Sequence, residues 1–344
     1  MRLRGPDEEP AITAAGILRL LDPLLVDGSA SMEPDRFASI VLFSVDAPEL
    51  SGPQSLTFVG PKTPLRVRTG LRAAFIIAAT GVPLLDESIA CLRVHSIHGA
   101  MAAILKALAD RFHRSAPYSF GKGNRIAPTA VVEGCLEGDV VVGAGAFVGR
   151  GSFIGSGSRI EPNAVIQDHC LIGRNCMVQS GAVIGSAGFG FFAGPAELGP
   201  TGCQAGNRIL TAMPHLAGVE IGADCWIGAN AVVAAGVLNP TVLGRGCKLD
   251  SHVQIAHNVR LGEECLLASQ SGIAGSTVAG HRLRMGGASS IDGHLRLGDD
   301  VSVAACSGVT KDLADKSVVA GFPARPIREW RRQLIALKGM SKKG

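Results

Sequence analysis

Histidine is the side chain best matched to proton transfer near neutral pH, and two of the nine in this chain, His257 and His294, fall where a groove can hold a reacting group. His257 lies in Gln254-Ile-Ala-His-Asn-Val259, two positions after Ile255. Ile255 belongs to a series of aliphatic residues spaced six apart, and at the phase of His257 the residues one and two coils higher are Gly275 and Gly293. Glycines above an imidazole leave an open groove. His294 follows His257 by 37 residues, two coils plus one, which puts both rings on one face, about 10 Å apart. An imidazole at the mouth of such a groove is suited to deprotonating a hydroxyl or amine that attacks a thioester. Asp250, seven residues earlier, could orient that ring. The plain alternatives are a polar face residue for the histidine and a turn residue for the aspartate.

A competing use of imidazoles is metal binding: His252 with His257, joined by His215 or His281, could approximate the three-histidine zinc site of β-helical carbonic anhydrases. Zinc demands a third nitrogen at about 2.1 Å. His215 lies in an irregular insertion and His281 more than a coil away, so no metal is assigned. The nine cysteines form no CxxC pair, and several share one phase of the repeat. They read as small buried fillers with reduced thiols.

The element that positions these residues is the repeat itself. From Leu136, aliphatic residues recur at Val142, Val148, Ile154, Ile160, Ile166, Ile172, Val178 and Ile184, then at Ile221, Ile227 and Val233. After a shift of four residues the series runs from Val237 and Leu243 through Ile255, Ile273 and Ile291 to Val309. A period of six fits a short strand followed by a corner, and three hexads close one coil of about 18 residues. The 45 glycines and the 4% aromatic content suit many tight corners. The expected fold is therefore mainly β: a hexapeptide-repeat parallel β-helix, left-handed by analogy with its repeat class.

Three further segments flank or interrupt the coil. Residues 1–120 lack the period and show helical patterns at Ala11 to Leu21 and Ser96 to Phe112, with strand-like runs at Ser39 to Val45, Ser55 to Val59 and Ala73 to Ala79. This is the pattern of a small α/β domain. The β-helix is expected over 121–320, with a candidate functional loop at 185–218 carrying Phe189, Phe191 and Phe192. Within 321–344, Ile327, Trp330, Leu334 and Leu337 recur at helical spacing beside Arg328, Arg331 and Arg332, which predicts an amphipathic basic α-helix at the C-terminus. A charged fraction of 18% and a net charge of +4 give no nucleic-acid signature. Apolar runs such as Phe75 to Ala79 are too short to span a bilayer. With an N-terminus that has no apolar core, this predicts a cytoplasmic protein without a transmembrane segment.

The stretch Leu249-Asp-Ser-His-Val-Gln-Ile-Ala-His-Asn-Val-Arg-Leu-Gly262, together with Met285-Gly-Gly-Ala-Ser-Ser-Ile-Asp-Gly-His294 and Gly188-Phe-Gly-Phe191, resembles the UDP-3-O-acylglucosamine N-acyltransferase family of lipid A biosynthesis. The resemblance implies a homotrimer with active sites between subunits. It also implies transfer of a hydroxyacyl chain from acyl carrier protein to the amine of a UDP-linked, acylated glucosamine. The acyl-phosphopantetheine on the carrier protein is then the donor, and no tightly bound cofactor is expected. By motif match, His257 is the general base, His294 helps hold the thioester or the developing oxyanion, and Asp250 and Asn258 stand beside the base. Phe58 and Lys62 fall in the uracil-binding strand. Gly188, Phe189 and Gly190 form the family's GFG motif, and Gly275 and Gly293 line the groove. The arginines at 328, 331 and 332 are expected to dock the acidic carrier protein.

The chain departs from that family in three places. Val233-Ala-Ala-Gly-Val237 stands where a Thr-Ile-Asp-Arg-Gly segment is usual. Leu56-Thr-Phe-Val-Gly-Pro-Lys-Thr63 has Gly60 in place of Asn and no following Tyr. The insertion reads Ala212-Met-Pro-His215 where Lys-x-Pro-Gln is usual. Alternative readings are a divergent paralogue acting on another amino sugar, a non-catalytic trimeric scaffold, and an acetyl-CoA-dependent sugar acetyltransferase.

Overall fold

A computed structural model describes residues 12–21, 24–30, 40–42, 44–83, 88–112, 119–194, 203–205, 208–321, 326–329, 331–333 and 335. From Phe120 onward the chain winds into short strands, mostly two residues long, which stack into three parallel sheets of eight, ten and nine strands among the described residues. The register advances by 18 residues per coil, as in Ile255↔Ile273↔Ile291. The second residue of each strand points inward. Leu136, Val142, Val148 and their successors through Val309 form one continuous buried column, each full burial of a Val or Ile contributing about 1.5–3 kcal/mol.

A second column of smaller residues lies two positions before the first. Cys170, Cys176, Cys225, Cys247 and Cys265 occupy it as buried free thiols, the filler role read from their phase. The corners carry a left-handed backbone, with φ of 61° at Asn258 and 62° at His294, a conformation that asparagine tolerates better than most residues.

One position of the expected column is corrected. Val237 lies outside it, packed with Leu238 against the N-terminal segment, and the column passes directly from Val233 to Leu243. The residues between form a detour, so the shift of four in the spacing is an excursion from the coil.

The N-terminal segment builds a five-stranded sheet in the order Leu25–Ala30, Ala90–Val94, Phe75–Ala79, Ser55–Val59, Ser44–Asp46. The first pair is antiparallel and the others are parallel. Helices Ala14–Leu21 and Ile97–Phe112 pack together beside it. Ser96 starts the second helix, its hydroxyl accepting the Gly99 amide at 3.0 Å. The strands at Leu25–Ala30 and Ala90–Val94 extend the elements expected from sequence.

The insertion folds into an antiparallel sheet of Phe191–Gly194, Arg208–Ala212 and Cys203–Ala205. Phe192, Met213 and Leu216 from the insertion join Val237 and Leu238 of the detour in one cluster with the N-terminal core. This apolar seam fixes the N-terminal segment against the coil.

Near the C-terminus, Ile327–Glu329 and Arg331–Gln333 are helical. Arg328, Arg331 and Arg332 are exposed there, whereas Trp330, Leu334 and Leu337 lie outside the described residues. No helix of the described residues is long and apolar enough to cross a membrane.

Candidate active site

The seam encloses a cavity of about 420 Å³ with His257, Asn258, Ser276 and His294 on the coil side. Phe58, Pro48 and His98 face them from the N-terminal segment, and Gly190, Phe192 and His215 close it from the insertion. Asn258, Ser276 and His294 are corner residues of successive coils, which is why a linear spacing of 36 becomes a shared wall.

The orientation of His257 follows from its neighbour. Asn258 Nδ2 donates to the Asn239 carbonyl at 2.8 Å, while Asn258 Oδ1 accepts the Val237 amide at 3.2 Å. Both partners belong to the detour, and together they fix which way the amide points. The Asn258 backbone amide donates to Thr241 Oγ1 at 2.8 Å. Because Oδ1 can only accept, His257 Nδ1–H is the donor in their contact, at 3.2 Å. Nε2 is then the basic nitrogen, and it lies over Gly275. A methyl group there would come within 2.7 Å of both Nε2 and Cε1, so the glycine is required by the ring.

His215 packs edge-on against His257, with ring centroids 5.1 Å apart and planes inclined at 62°. Its Nδ1–H donates to the Met213 carbonyl at 2.8 Å, and its Nε2 is buried with no hydrogen-bond partner. Burial, and secondarily the charge on His257, pushes the His215 pKa down to about 4, so it stays neutral at physiological pH. Gly188 fills the angle between the two rings: a Cβ on it would meet His215 Nε2 at 2.5 Å and His257 Cβ at 2.8 Å. At Gly190 a Cβ would approach His215 Cε1 at 3.2 Å.

The residues expected from sequence divide accordingly. His257, Asn258, His294, Phe58 and Gly190 line one cavity, with Gly188 and Gly275 against its imidazoles. Gly293 lies above Gly275, where a Cβ would stand 3.2 Å from the Gly275 carbonyl. Phe189 is 89% exposed, edge-on to Phe191. Lys62 is exposed in the turn after Phe58, outside the cavity lining. Thr63 closes that turn, its hydroxyl accepting the Gly60 amide at 3.1 Å.

Asp250 is not brought to His257 within the chain. Its carboxylate accepts the amides of Ser251 and Ser269, at 2.7 and 3.2 Å. It lines a separate groove of about 730 Å³ beside Trp226, Leu266 and Arg284. Within the chain it is Asn258, and not Asp250, that hydrogen-bonds the His257 ring. His98 and His215 are the cavity residues that the spacing did not single out as a base's neighbours. His98 stacks on Phe192 at 6.4 Å, and its placement was signalled only by the Ser96 cap. No group of three metal-ligating side chains converges among the described residues.

Residues 151–186 match the family of bacterial transferase hexapeptide (six repeats). A UDP-3-O-acylglucosamine N-acyltransferase of Caulobacter vibrioides is 48% identical over 163 residues, covering 47% of this chain and 44% of that protein. The enzyme of the same name from Azorhizobium caulinodans is 48% identical over 163 residues, covering 47% and 42%. The chain thus matches less than half the length of these curated relatives. Among solved structures, a UDP-N-acetylglucosamine acyltransferase from Bacteroides fragilis is similar at 20% identity and a TM-score of 0.48, covering 60% of this chain and 77% of that one. The chain carries the bacterial transferase hexapeptide repeat and is a relative of UDP-3-O-acylglucosamine N-acyltransferases, which bears out the resemblance read from its motifs.

Proposed function

We propose that the chain is an N-acyltransferase that moves an acyl chain from the phosphopantetheine thioester of acyl carrier protein to the amine of a nucleotide-linked, acylated amino sugar. The observation that carries this reading is the hydrogen bond between His257 Nδ1 and Asn258 Oδ1, which leaves Nε2 over Gly275 and facing the cavity. A base that must remove a proton from an attacking amine needs such a bare, oriented nitrogen. The amine nitrogen attacks the thioester carbon as His257 Nε2 takes its proton. The negative charge developing on the carbonyl oxygen is met by a donor from His294 on the same wall. Collapse breaks the carbon–sulfur bond, and the proton held by His257 passes to the departing thiolate.

Phe58 lines the opposite wall, but it is 3% exposed and packed in the N-terminal core, so it offers a nucleobase an edge and no open face for stacking. At Gly60 a side chain would meet no atom within 4 Å, so this chain leaves open space where the resembled family has an asparagine. Gly60 lies outside the cavity lining, and it is the missing polar contact that favours an altered nucleotide sugar within the same reaction class. Arg328, Arg331 and Arg332, exposed on one short helix, offer a basic surface to the acidic carrier protein.

The test is mass-spectrometric detection of amide product from acyl carrier protein loaded with a hydroxyacyl chain and UDP-3-O-acylglucosamine. Wild type should form it, and His257→Ala should lose roughly 100- to 10,000-fold in rate with its folding intact. Loss of less than tenfold would place the base elsewhere.

A further inference from the structure

His215 occupies a position where the sequence departs from the family it resembles, and neither the motif match nor the repeat assigns it a role. We propose that His215 is a positioning residue: its ring is the wall that holds the His257 imidazole in the plane where Nδ1 meets Asn258 and Nε2 faces the cavity. The proposal deepens the acyl-transfer reading and rests on it for its kinetic test, but not for its spectroscopic one.

Three observations carry it. The bond between His257 and Asn258 joins adjacent residues at 3.2 Å, a length at the long end of a normal hydrogen bond. Such a bond does not by itself stop a half-buried imidazole at a cavity wall from turning about its Cβ–Cγ axis. His215 blocks that rotation from the side, with its ring 5.1 Å away and inclined at 62°. His215 is itself immobilised, by the Met213 carbonyl at 2.8 Å and by the close approach of Gly188 and Gly190.

The second observation is what the packing tolerates. His215 Nε2 is buried with no donor to satisfy it, so a ring made only for filling space would be better served by an apolar side chain. Its remaining nitrogen is used to lock the ring to Met213. The third is charge. Burial keeps His215 neutral down to about pH 4, so the wall does not repel His257 when that residue carries the proton. The other imidazoles of the cavity, His98 and His294, lie on the N-terminal segment and on a higher coil.

The experiment compares His215→Ala, which removes the wall, with His215→Phe, which keeps a ring of the same breadth. In His215→Ala, kcat should fall roughly 10- to 100-fold, the cost typical of a displaced catalytic group, while KM for the amine acceptor stays within about twofold. His215→Phe should keep kcat within about threefold of wild type. Nitrogen-15 spectra of the imidazoles should show one His257 tautomer in wild type and His215→Phe, and mixed tautomers in His215→Ala.

An unchanged kcat with a single tautomer in His215→Ala would overturn the proposal. So would a His215→Phe protein as impaired as His215→Ala, because the ring nitrogens and not the wall would then matter. If wild type forms no amide product, the acyl-transfer reading fails, and the tautomer spectra still decide whether His215 positions His257.

Discussion

At the residue scale, the site depends on the absence of side chains as much as on their presence. Gly275 supports the face of His257, and a methyl group there would stand 2.7 Å from two ring atoms. Gly275→Ala should leave the coil folded, since this corner lies outside the buried columns, yet lower the rate of acyl transfer at least tenfold by displacing the ring. A melting temperature within a few degrees of wild type, measured beside the rate, separates displacement from unfolding. His215 gives a prediction for pH. Its folded pKa of about 4 lies below the ordinary value of 6.5, so between these limits the unfolded chain binds a proton that the folded chain refuses. Stability should therefore fall as pH drops through that window, by roughly 1–2 kcal/mol from this residue once solvent screening at the half-buried ring is allowed for. His215→Phe should flatten that slope in denaturant titrations at pH 6.5 and pH 4.5, and an unaltered slope would show that the burial of His215 costs less than its surroundings imply.

At the scale of elements, the period of six made the coil legible because an interior with one aliphatic per strand leaves the same trace in every coil. It also made the cysteines legible as packing. Burial pushes the Cys170 thiol up to about 12, and Cys176 is raised by its hydrogen bond with Cys225 and by burial. Reactive thiolate is therefore scarce at these positions. At pH 8 an alkylating reagent should modify exposed Cys306 within minutes, whereas Cys170 and Cys176 should react only when the coil is unfolded. Peptide mapping before and after addition of denaturant checks this, and early labelling of Cys170 would mean that the coil opens locally. What the period could not reveal is the support for the His257 ring. A slip of four residues reads the same whether the column restarts at Val237 or the chain leaves the coil and returns. Only the three-dimensional path shows that the excursion delivers the Val237 amide and the Asn239 carbonyl to Asn258. His215 was equally hidden, because an aperiodic insertion carries no phase from which to infer a neighbour.

At the scale of the whole molecule, one sheet of the coil presents an outward ladder that a soluble monomer would leave wet. Along the register Met177, Trp226, Lys248, Leu266, Arg284, Ser302 and Val318 stand side by side. Trp226 is 40% exposed and Val318 81%. All of these but Met177 line the groove of about 730 Å³ that also holds Asp250. Exposed Trp226, Leu266 and Val318 interleaved with Lys248 and Arg284 make a mixed apolar and charged face of the kind interfaces carry. Three copies related by a threefold axis would cover it without leaving an open end. The expected state is a trimer at micromolar concentration by sedimentation. Leu266→Arg places a third positive charge between Lys248 and Arg284 in the middle of the ladder, where burial between subunits would be costly; in a monomer the same outward position is solvated and tolerates it. The variant should therefore sediment as a monomer, keep the circular dichroism of the coil, and lose acyl transfer because the groove has no neighbouring wall. Full activity in a monomeric variant would show instead that the cavity between the coil and its own N-terminal segment is sufficient for the reaction.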